Sequence, residues 1–319
     1  MPDYRICLTP KVSGVGGMVS FRRRLAAGLV QRGVEVGDDL DDGRYDAVLV
    51  IGGTRQLAGL WRARRRGARI VQRLNGMNWL HRLRRTGLRH YLRSEYGNWL
   101  LSFIRSRLAG RIVYQSEFAR RWWEQVYAPT AVPWRVIYNG VDLSAYSPVG
   151  PGQPPQDRWR ILLVEGSLMG GYELGLEASV GLVNEISQRL NHTDSLSGPK
   201  SVELMVVGRV SQETRQRWEQ HTSLPILWAD LQPPERIPEI DRSAHLLYSA
   251  DVNAACPNSV IEALACGLPV LSFDTGALPE LVAGDAGRVV PYGGNPWQLE
   301  RPDISALSVA ALEILENQG

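Results

Sequence analysis

In the stretch DVNAACPNSVIEALACGLPVLSFDTGALPELV, residues 251–282, one carboxylate sits inside an apolar run: Glu262, with Val260, Ile261, Ala263 and Leu264 around it. A buried acid needs partners. Pro257, Asn258 and Ser259 stand just before it and read as the start of a helix. Free N–H groups at such a start, together with the helix dipole, favour a diphosphate. The plain alternative is that Glu262 is an ordinary residue near a helix start.

Other residues invite chemical readings of uneven quality. In SGVGGM (13–18) the glycines let a phosphate or a sugar approach backbone N–H groups at a helix start. Gly14 and Gly16 fit the first two positions of G-x-G-x-x-G, but the third falls on Val19, which disfavours a dinucleotide enzyme. A tight strand-to-helix turn explains the same residues. The Asp-x-Asp in DDLDD (38–42) lies between Gly37 and Gly43 and reads as a solvated acidic turn; a hard cation wants several converging oxygens. Cys7, Cys256 and Cys266 are too few and too scattered for a disulfide framework or a zinc site. A reducing, cytoplasmic setting is expected. The five histidines fall in no motif.

These residues need elements to position them. The chain has 319 residues, 44% of them hydrophobic, enough for one large or two medium domains. RICLT (5–9), DAVLVIG (46–52), RIVQRL (69–74), RIVYQS (111–116) and WRVIYN (134–139) are short apolar strands with helix-like stretches between them. SPVGPGQPPQDR (147–158) is rich in Pro and Gly and reads as a linker. The alternation then restarts with strands WRILLVEG (159–166), VELMVVG (202–208) and LPVLSFD (268–274). Helices are expected over 172–190 and 304–318, and a polar loop over 191–200. Such alternation predicts an α/β class: two Rossmann-like domains with parallel sheets facing a central cleft, 1–147 and 159–319, joined by a linker at 148–158. Ligands of such sheets lie at the carboxyl ends of the strands.

No run of about 18 apolar residues spans a membrane, and MPDYRICLTP lacks the charged and apolar regions of a signal peptide. Charge is uneven: residues 1–150 hold 25 of the 36 Lys+Arg but only 11 of the 33 Asp+Glu. A basic half suits phosphates, an anionic membrane or nucleic acid, although charge runs are usually solvated faces. In residues 78–108, Arg82, Arg84, Arg85, Arg89, Arg93, Arg105 and Arg107 run beside Leu80, Leu83, Leu88, Tyr91 and Leu92, with Trp79 and Trp99. Two readings of this basic amphipathic segment stand: a core-packed helix with a solvated arginine face, or a helix lying on an anionic membrane. No recognised nucleic-acid motif is present, so no nucleic acid is expected.

The segment PNSVIEALACGLPVLSFDTGALPELV resembles the donor-site signature of glycosyltransferase family 4, the retaining group with the GT-B fold. That signature is a Glu, seven residues, a second Glu, a helix ending in Ala-Cys-Gly-x-Pro-Val, then a strand, an Asp, a Gly and a Pro-Glu. The glycine turn GVGGM, YNGVDL (138–143) and ELMVVG (203–208) follow the family's order, so the resemblance spans nearly the whole chain. It implies transfer of a sugar from a nucleotide diphosphate-sugar to a glycan or lipid-linked acceptor. It implies no metal and no cofactor besides that substrate. Many relatives act on lipid-linked or envelope acceptors, which fits a cytoplasmic protein held peripherally at the inner face of the membrane through residues 78–108.

Departures from the family pattern fall on reactive positions. Ala254 stands where the first glutamate would be. In VEGSLMGGYELGLEAS (164–179), Ser167 stands where the family has an Arg, and Gly170 or Gly171 where it has a Lys; those cations neutralise the leaving diphosphate. Arg209, after the next strand, is the candidate replacement. In RLNGMN, Asn75 replaces the catalytic-site histidine and cannot move a proton at neutral pH. The family's last helix, which returns to the first domain, has no counterpart after ALEILENQG.

The resemblance therefore assigns catalytic roles to Asn75 and Glu262. The donor set is Gly16, Gly17, Glu165, Ser167, Arg209, Asn258, Ser259, Glu262, Thr275 and Gly276, with Glu262 taking the ribose hydroxyls and the acceptor lying near Gly16, Gly17 and Asn75. The alternative is a degenerate glycosyltransferase that binds a nucleotide, a glycan or a protein partner without turnover.

Overall fold

The computed structural model describes residues 4–14, 16–84, 87–169, 173–192 and 198–317. The chain divides into two compact units, residues 1–139 and 140–319. Residues 147–158 carry no regular structure and are tied to the second unit, where Arg242 donates to the carbonyls of Ser147 (2.9 Å) and Pro151 (2.8 Å).

The first unit holds six strands: β1 (Arg5–Thr9), β2 (Glu35–Gly37), β3 (Ala47–Ile51), β4 (Arg69–Leu74), β5 (Arg111–Tyr114) and β6 (Trp134–Val136). They form one parallel sheet in the order β2-β1-β3-β4-β5-β6. Short β-branched and leucine runs are buried on both faces, as a parallel sheet requires. One cluster packs Cys7, Val48, Val50 and Ile70 against Leu60 of helix Leu57–Arg65 and Ile104.

The second unit repeats the plan with β7 (Trp159–Ser167), β8 (Val202–Arg209), β9 (Ile226–Trp228), β10 (Leu246–Tyr248), β11 (Val270–Phe273) and β12 (Gly287–Val290). The order is β12-β11-β10-β7-β8-β9, again parallel. Alternation along the strands feeds two cores. Ile161, Leu163, Leu204 and Val206 face helices Glu173–His192 and Ile304–Glu316. Leu162, Met205, Val207 and Val270 face helices Ile237–Arg242 and Asn258–Ala265. Two doubly covered parallel sheets are the α/β architecture expected from the alternation.

The basic segment differs from a single helix. It forms helix Leu80–Leu83, then helix Leu88–Phe103, then a π-helical turn over Ile104–Leu108. Gly87, with φ 84°, breaks it in a conformation that favours glycine. Arg85 lies outside the described residues. Arg105 is not on the solvated face: it is buried and donates to the Tyr114 hydroxyl (3.1 Å) and the Ala128 carbonyl (2.9 Å).

Candidate functional site

Four neighbouring strands of the second unit, β11, β10, β7 and β8, run parallel and so end at one edge of the sheet. Most of the predicted donor residues lie there. Glu165 and Ser167 close β7, Arg209 closes β8, and Thr275 and Gly276 follow β11. Between β10 and β11 the chain passes through Ser249–Ala254 and then into helix Asn258–Ala265, whose first residues are Asn258 and Ser259. Pro257 is its N-cap and no side chain caps it, as suits a helix start that receives an anion.

Within that helix Val260 and Ala263 enter the core, and Glu262 turns inward between them, only 8% exposed. Its charge reaches Asp241 on the adjoining helix Ile237–Arg242, a residue 1% exposed. Burial first, then the charge of Glu262, hold the Asp241 carboxyl well above the usual carboxylate range, while a hydrogen bond with Cys266 acts in the opposite sense. Asp241 is thus a buried acid whose surroundings favour its protonated form, on the helix that adjoins the one carrying the predicted ribose ligand.

The turn after β11 is fitted to the segment after β10. Gly276 has φ 61°, and a Cβ there would strike the backbone of Asn253 and Ala254. Both the conformation and the space require glycine. The Ala277 N–H donates to the Ala254 carbonyl at 2.8 Å. The position of the absent glutamate is therefore buried and pinned beneath the Thr275–Gly276 turn.

At the neighbouring strand end, β7 pairs with β8 in steady register up to Val164 opposite Val207, then resumes at Ser167 opposite Arg209. One extra residue on β7 makes a β-bulge, a device that re-aims side chains at strand ends. Gly208, at φ 143°, makes it fit, because a Cβ there would collide with the Glu165 carbonyl. The register makes Arg209 the cross-strand neighbour of Ser167, so a cation stands beside the position where the resemblance implies one. Arg209 is exposed and in no ion pair among the described residues. Gly170 and Gly171 lie outside the described residues.

Sequence reasoning passed over Asp251, three residues beyond β10. Burial raises the Asp251 carboxyl above its usual range. Burial, then the charge of Asp251, raise that of Glu165 further. The signal was missed because β10 is a three-residue strand with no alternation to mark it.

In the first unit, Gly16 (φ 132°) precedes helix Gly17–Gln31, and no side chain caps this start either. Val15 lies outside the described residues. Asn75 follows β4; its carbonyl accepts from Trp123 Nε1 at 2.8 Å. A Cβ on Gly52, after β3, would lie 3.6 Å from Asn75 Oδ1 and 3.7 Å from Met18 Cε. The structure thus brings Asn75 to the start of helix Gly17–Gln31. Buried Arg73, which sequence reasoning did not single out, lies 3.4 Å from the centre of the Phe21 ring and donates to Asn139 Oδ1.

Among the described residues no cluster of three or more His, Cys, Asp or Glu could hold a metal ion. Three of the four acids of DDLDD pair with cations instead: Asp38 with Lys11 (3.0 Å), Asp41 with Arg62 (2.8 Å) and Asp42 with Arg5 (3.1 Å). A cavity of about 820 Å³ opens at the opposite, amino-terminal edge of the second sheet, lined in part by Asp241, His245, Cys266 and Arg288. None of the predicted site residues lines it. The strand termini and the uncapped helix start converge instead at the carboxyl-end edge, where ligands of open α/β sheets generally lie.

Two doubly covered parallel α/β units of this kind make up the GT-B fold. The family profile "Glycosyltransferase Family 4" matches residues 38–145, and "Glycosyl transferases group 1" matches residues 179–317. The chain belongs to this family as a divergent member. Among solved structures, sucrose-phosphate synthase from Thermosynechococcus elongatus superposes with a TM-score of 0.68 at 15% identity, covering 98% of this chain and 90% of that one. WaaG, a glycosyltransferase of lipopolysaccharide biosynthesis, gives 0.67 at 13% identity, covering 98% and 90%. Anabaena HepE, solved with UDP-glucose, gives 0.62 at 15% identity, covering 99% and 98%. These likenesses show the fold. The comparison with curated proteins returns no match.

Proposed function

We propose that the chain is a retaining, metal-independent hexosyltransferase that moves a sugar from a nucleoside diphosphate-sugar to a glycan or lipid-linked acceptor. The observation that carries this reading is the uncapped start of helix Asn258–Ala265 with Glu262 buried one turn behind it, at the edge where four parallel strands end. The diphosphate takes the helix start, where aligned N–H groups and the dipole favour an anion. Glu262 accepts from the ribose hydroxyls. Thr275 and Gly276 shape the wall beside it, and Arg209 offsets charge on the leaving group, a preorganised electrostatic role. The leaving diphosphate takes the acceptor proton, since Asn75 holds the acceptor without moving protons. Gly16 and Gly17 offer further N–H groups.

A thermal-shift panel of UDP, GDP, ADP and TDP on the wild type and Glu262→Ala tests this. One diphosphate at 100 times its dissociation constant should add about 2.7 kcal/mol of stability, and Glu262→Ala should lose that shift. No shift with any of the four would overturn the donor site and favour the degenerate, glycan- or partner-binding alternative.

We also propose that the first unit contacts an anionic membrane from the cytoplasmic side. Helix Leu88–Phe103 exposes Leu88, Leu92, Tyr96 and Trp99 at helical spacing, with Arg89 and Arg93 exposed beside them. That combination suits an interfacial helix. Among the described residues no helix is long and apolar enough to cross a membrane. Vesicle flotation reads this contact, as argued below.

A further inference from the structure

Two carboxylic acids end up at the closing edge of the two central strands of the second sheet. β7 and β10 are paired neighbours, Ile161 opposite Leu246 and Leu162 opposite Leu247. Followed onward, the same register brings Glu165, at the bulge, beside the segment that carries Asp251. Close contacts fix the chain at Glu165 and at Ala250, the residue before Asp251. Gly208 admits the Glu165 carbonyl, and a Cβ on Gly175, in the first turn of helix Glu173–His192, would press against Ala250.

The surroundings hold donors that want an acceptor. Ser249 and Asn253 flank Asp251 in the chain, 8% and 5% exposed. Ser249 Oγ and Asn253 Nδ2 are buried with no hydrogen-bond partner among the described residues. Unpaired buried donors cost stability, and both lie in the segment that leads from β10 to the helix start proposed for the donor's diphosphate. Two ionised carboxylates would repel a diphosphate. A carboxyl that keeps its proton is a donor to a phosphate oxygen.

We propose that Glu165 and Asp251 act as one acid pair that retains a proton and donates an O–H hydrogen bond to the bound nucleotide's phosphate oxygen, with Ser249 and Asn253 as the accompanying donors. The inference rests on the donor site proposed above. It gives the pair a positioning role and involves no transfer of the proton.

The electrostatics agree. Burial raises both acids, and Asp251 adds to the effect on Glu165. The charged groups at the strand-end side of the elements around them are Arg209 on β8, Glu173 and Glu177 in the first turns of helix Glu173–His192, and Asp274 after β11. None of these moves either carboxyl. The sign follows. A pair that must be protonated to receive an anion gives tight binding at low pH. Binding is lost as pH rises through the pair's upper ionisation, about tenfold per pH unit for one proton.

The test is calorimetric binding of UDP, GDP, ADP and TDP between pH 7 and 9, above the second phosphate ionisation near pH 6. Each titration is run in two buffers of different ionisation enthalpy. For the diphosphate that binds, the wild type should take up protons and weaken with rising pH. Glu165→Gln, a mimic of the protonated acid, should keep the low-pH affinity within about threefold and flatten the pH dependence. Asp251→Asn should act in the same sense, and Glu165→Ala should bind at least tenfold more weakly than Glu165→Gln. Binding without proton uptake, or Glu165→Gln as weak as Glu165→Ala, overturns the pair's role while leaving the donor site intact. The second result would mean a carboxylate that accepts from sugar hydroxyls. Failure of every diphosphate to bind overturns the donor site and the pair together.

Discussion

Asp241 shows how much one residue's surroundings decide. It is buried behind Glu262, its Oδ2 has no partner among the described residues, and its carboxyl is held well above the usual range. Unfolded, an aspartate ionises near pH 3.9. Between that value and its raised native one, the folded chain holds a proton that the unfolded chain lacks. Stability therefore falls as pH rises, by up to about 1.4 kcal/mol per pH unit for one proton. His245 acts in the opposite sense: burial, then Arg160, lower it to about 4, so its contribution is lost as pH falls below its unfolded range. The window from pH 6.5 to 8 isolates the acids. There Asp241→Asn should unfold at higher denaturant than the wild type at pH 8, with a shallower decline of stability with pH. Denaturant midpoints across that window check it, and parallel slopes for the two proteins would rule out a protonated Asp241.

At the scale of elements, helix Leu88–Phe103 carries the prediction. Its exposed face stacks Tyr96 on Trp99 (5.9 Å between ring centres) and Trp99 on Phe103 (5.3 Å), and Leu88 is 75% exposed. Aromatic and leucine residues left in water beside arginines bind a lipid interface by burial plus attraction to anionic headgroups. Wild type should float with vesicles containing acidic lipid and not with neutral ones. Leu92→Asp should reduce flotation several-fold with a change in stability within about 0.5 kcal/mol, as for an exposed surface position. Equal flotation by both would remove the helix from the contact. This element also marks the limit of what the sequence makes legible. The arginine and leucine spacing over 78–108 was plain, but the break at Gly87 and the burial of Arg105 depend on tertiary contacts with Tyr114 and Ala128. Apolar runs such as Ala47–Ile51 and Val202–Arg209 were readable because burial on both faces leaves little polar residue to blur them. Strands of three residues, Ile226–Trp228 and Leu246–Tyr248, were not, and with the second went Asp251. The helix start at Asn258–Ser259 was legible because the residues that open it, Pro257, Asn258 and Ser259, are consecutive in the chain; the register of Ser167 with Arg209 was not, because a bulge is a relation between two strands.

The molecule as a whole poses an electrostatic problem that its proposed function must solve. The positive charge is concentrated in residues 1–150, whereas the remainder, which holds the proposed donor cluster, is acidic. On the proposed reading an anionic nucleotide depends on local arrangement: an uncapped helix start, the Arg209 side chain, the unpaired donors of Ser249 and Asn253, and acids that burial pushes toward their protonated forms. Hydrogen exchange resolves this along the whole chain, since ligand-bound backbone opens less often. Addition of the diphosphate that binds should slow exchange over residues 249–277 and at the ends of β7 and β8. A second, weaker patch is expected over residues 16–20, where Gly16 and Gly17 offer N–H groups. Helix Leu88–Phe103 should be unaffected, because its proposed partner is lipid. Protection absent from 249–277 would remove the donor site from the second unit. Protection confined to the second unit would leave the donor set with its strand-end residues and withdraw Gly16 and Gly17 from it, making the first unit's glycine turn an acceptor or purely structural feature.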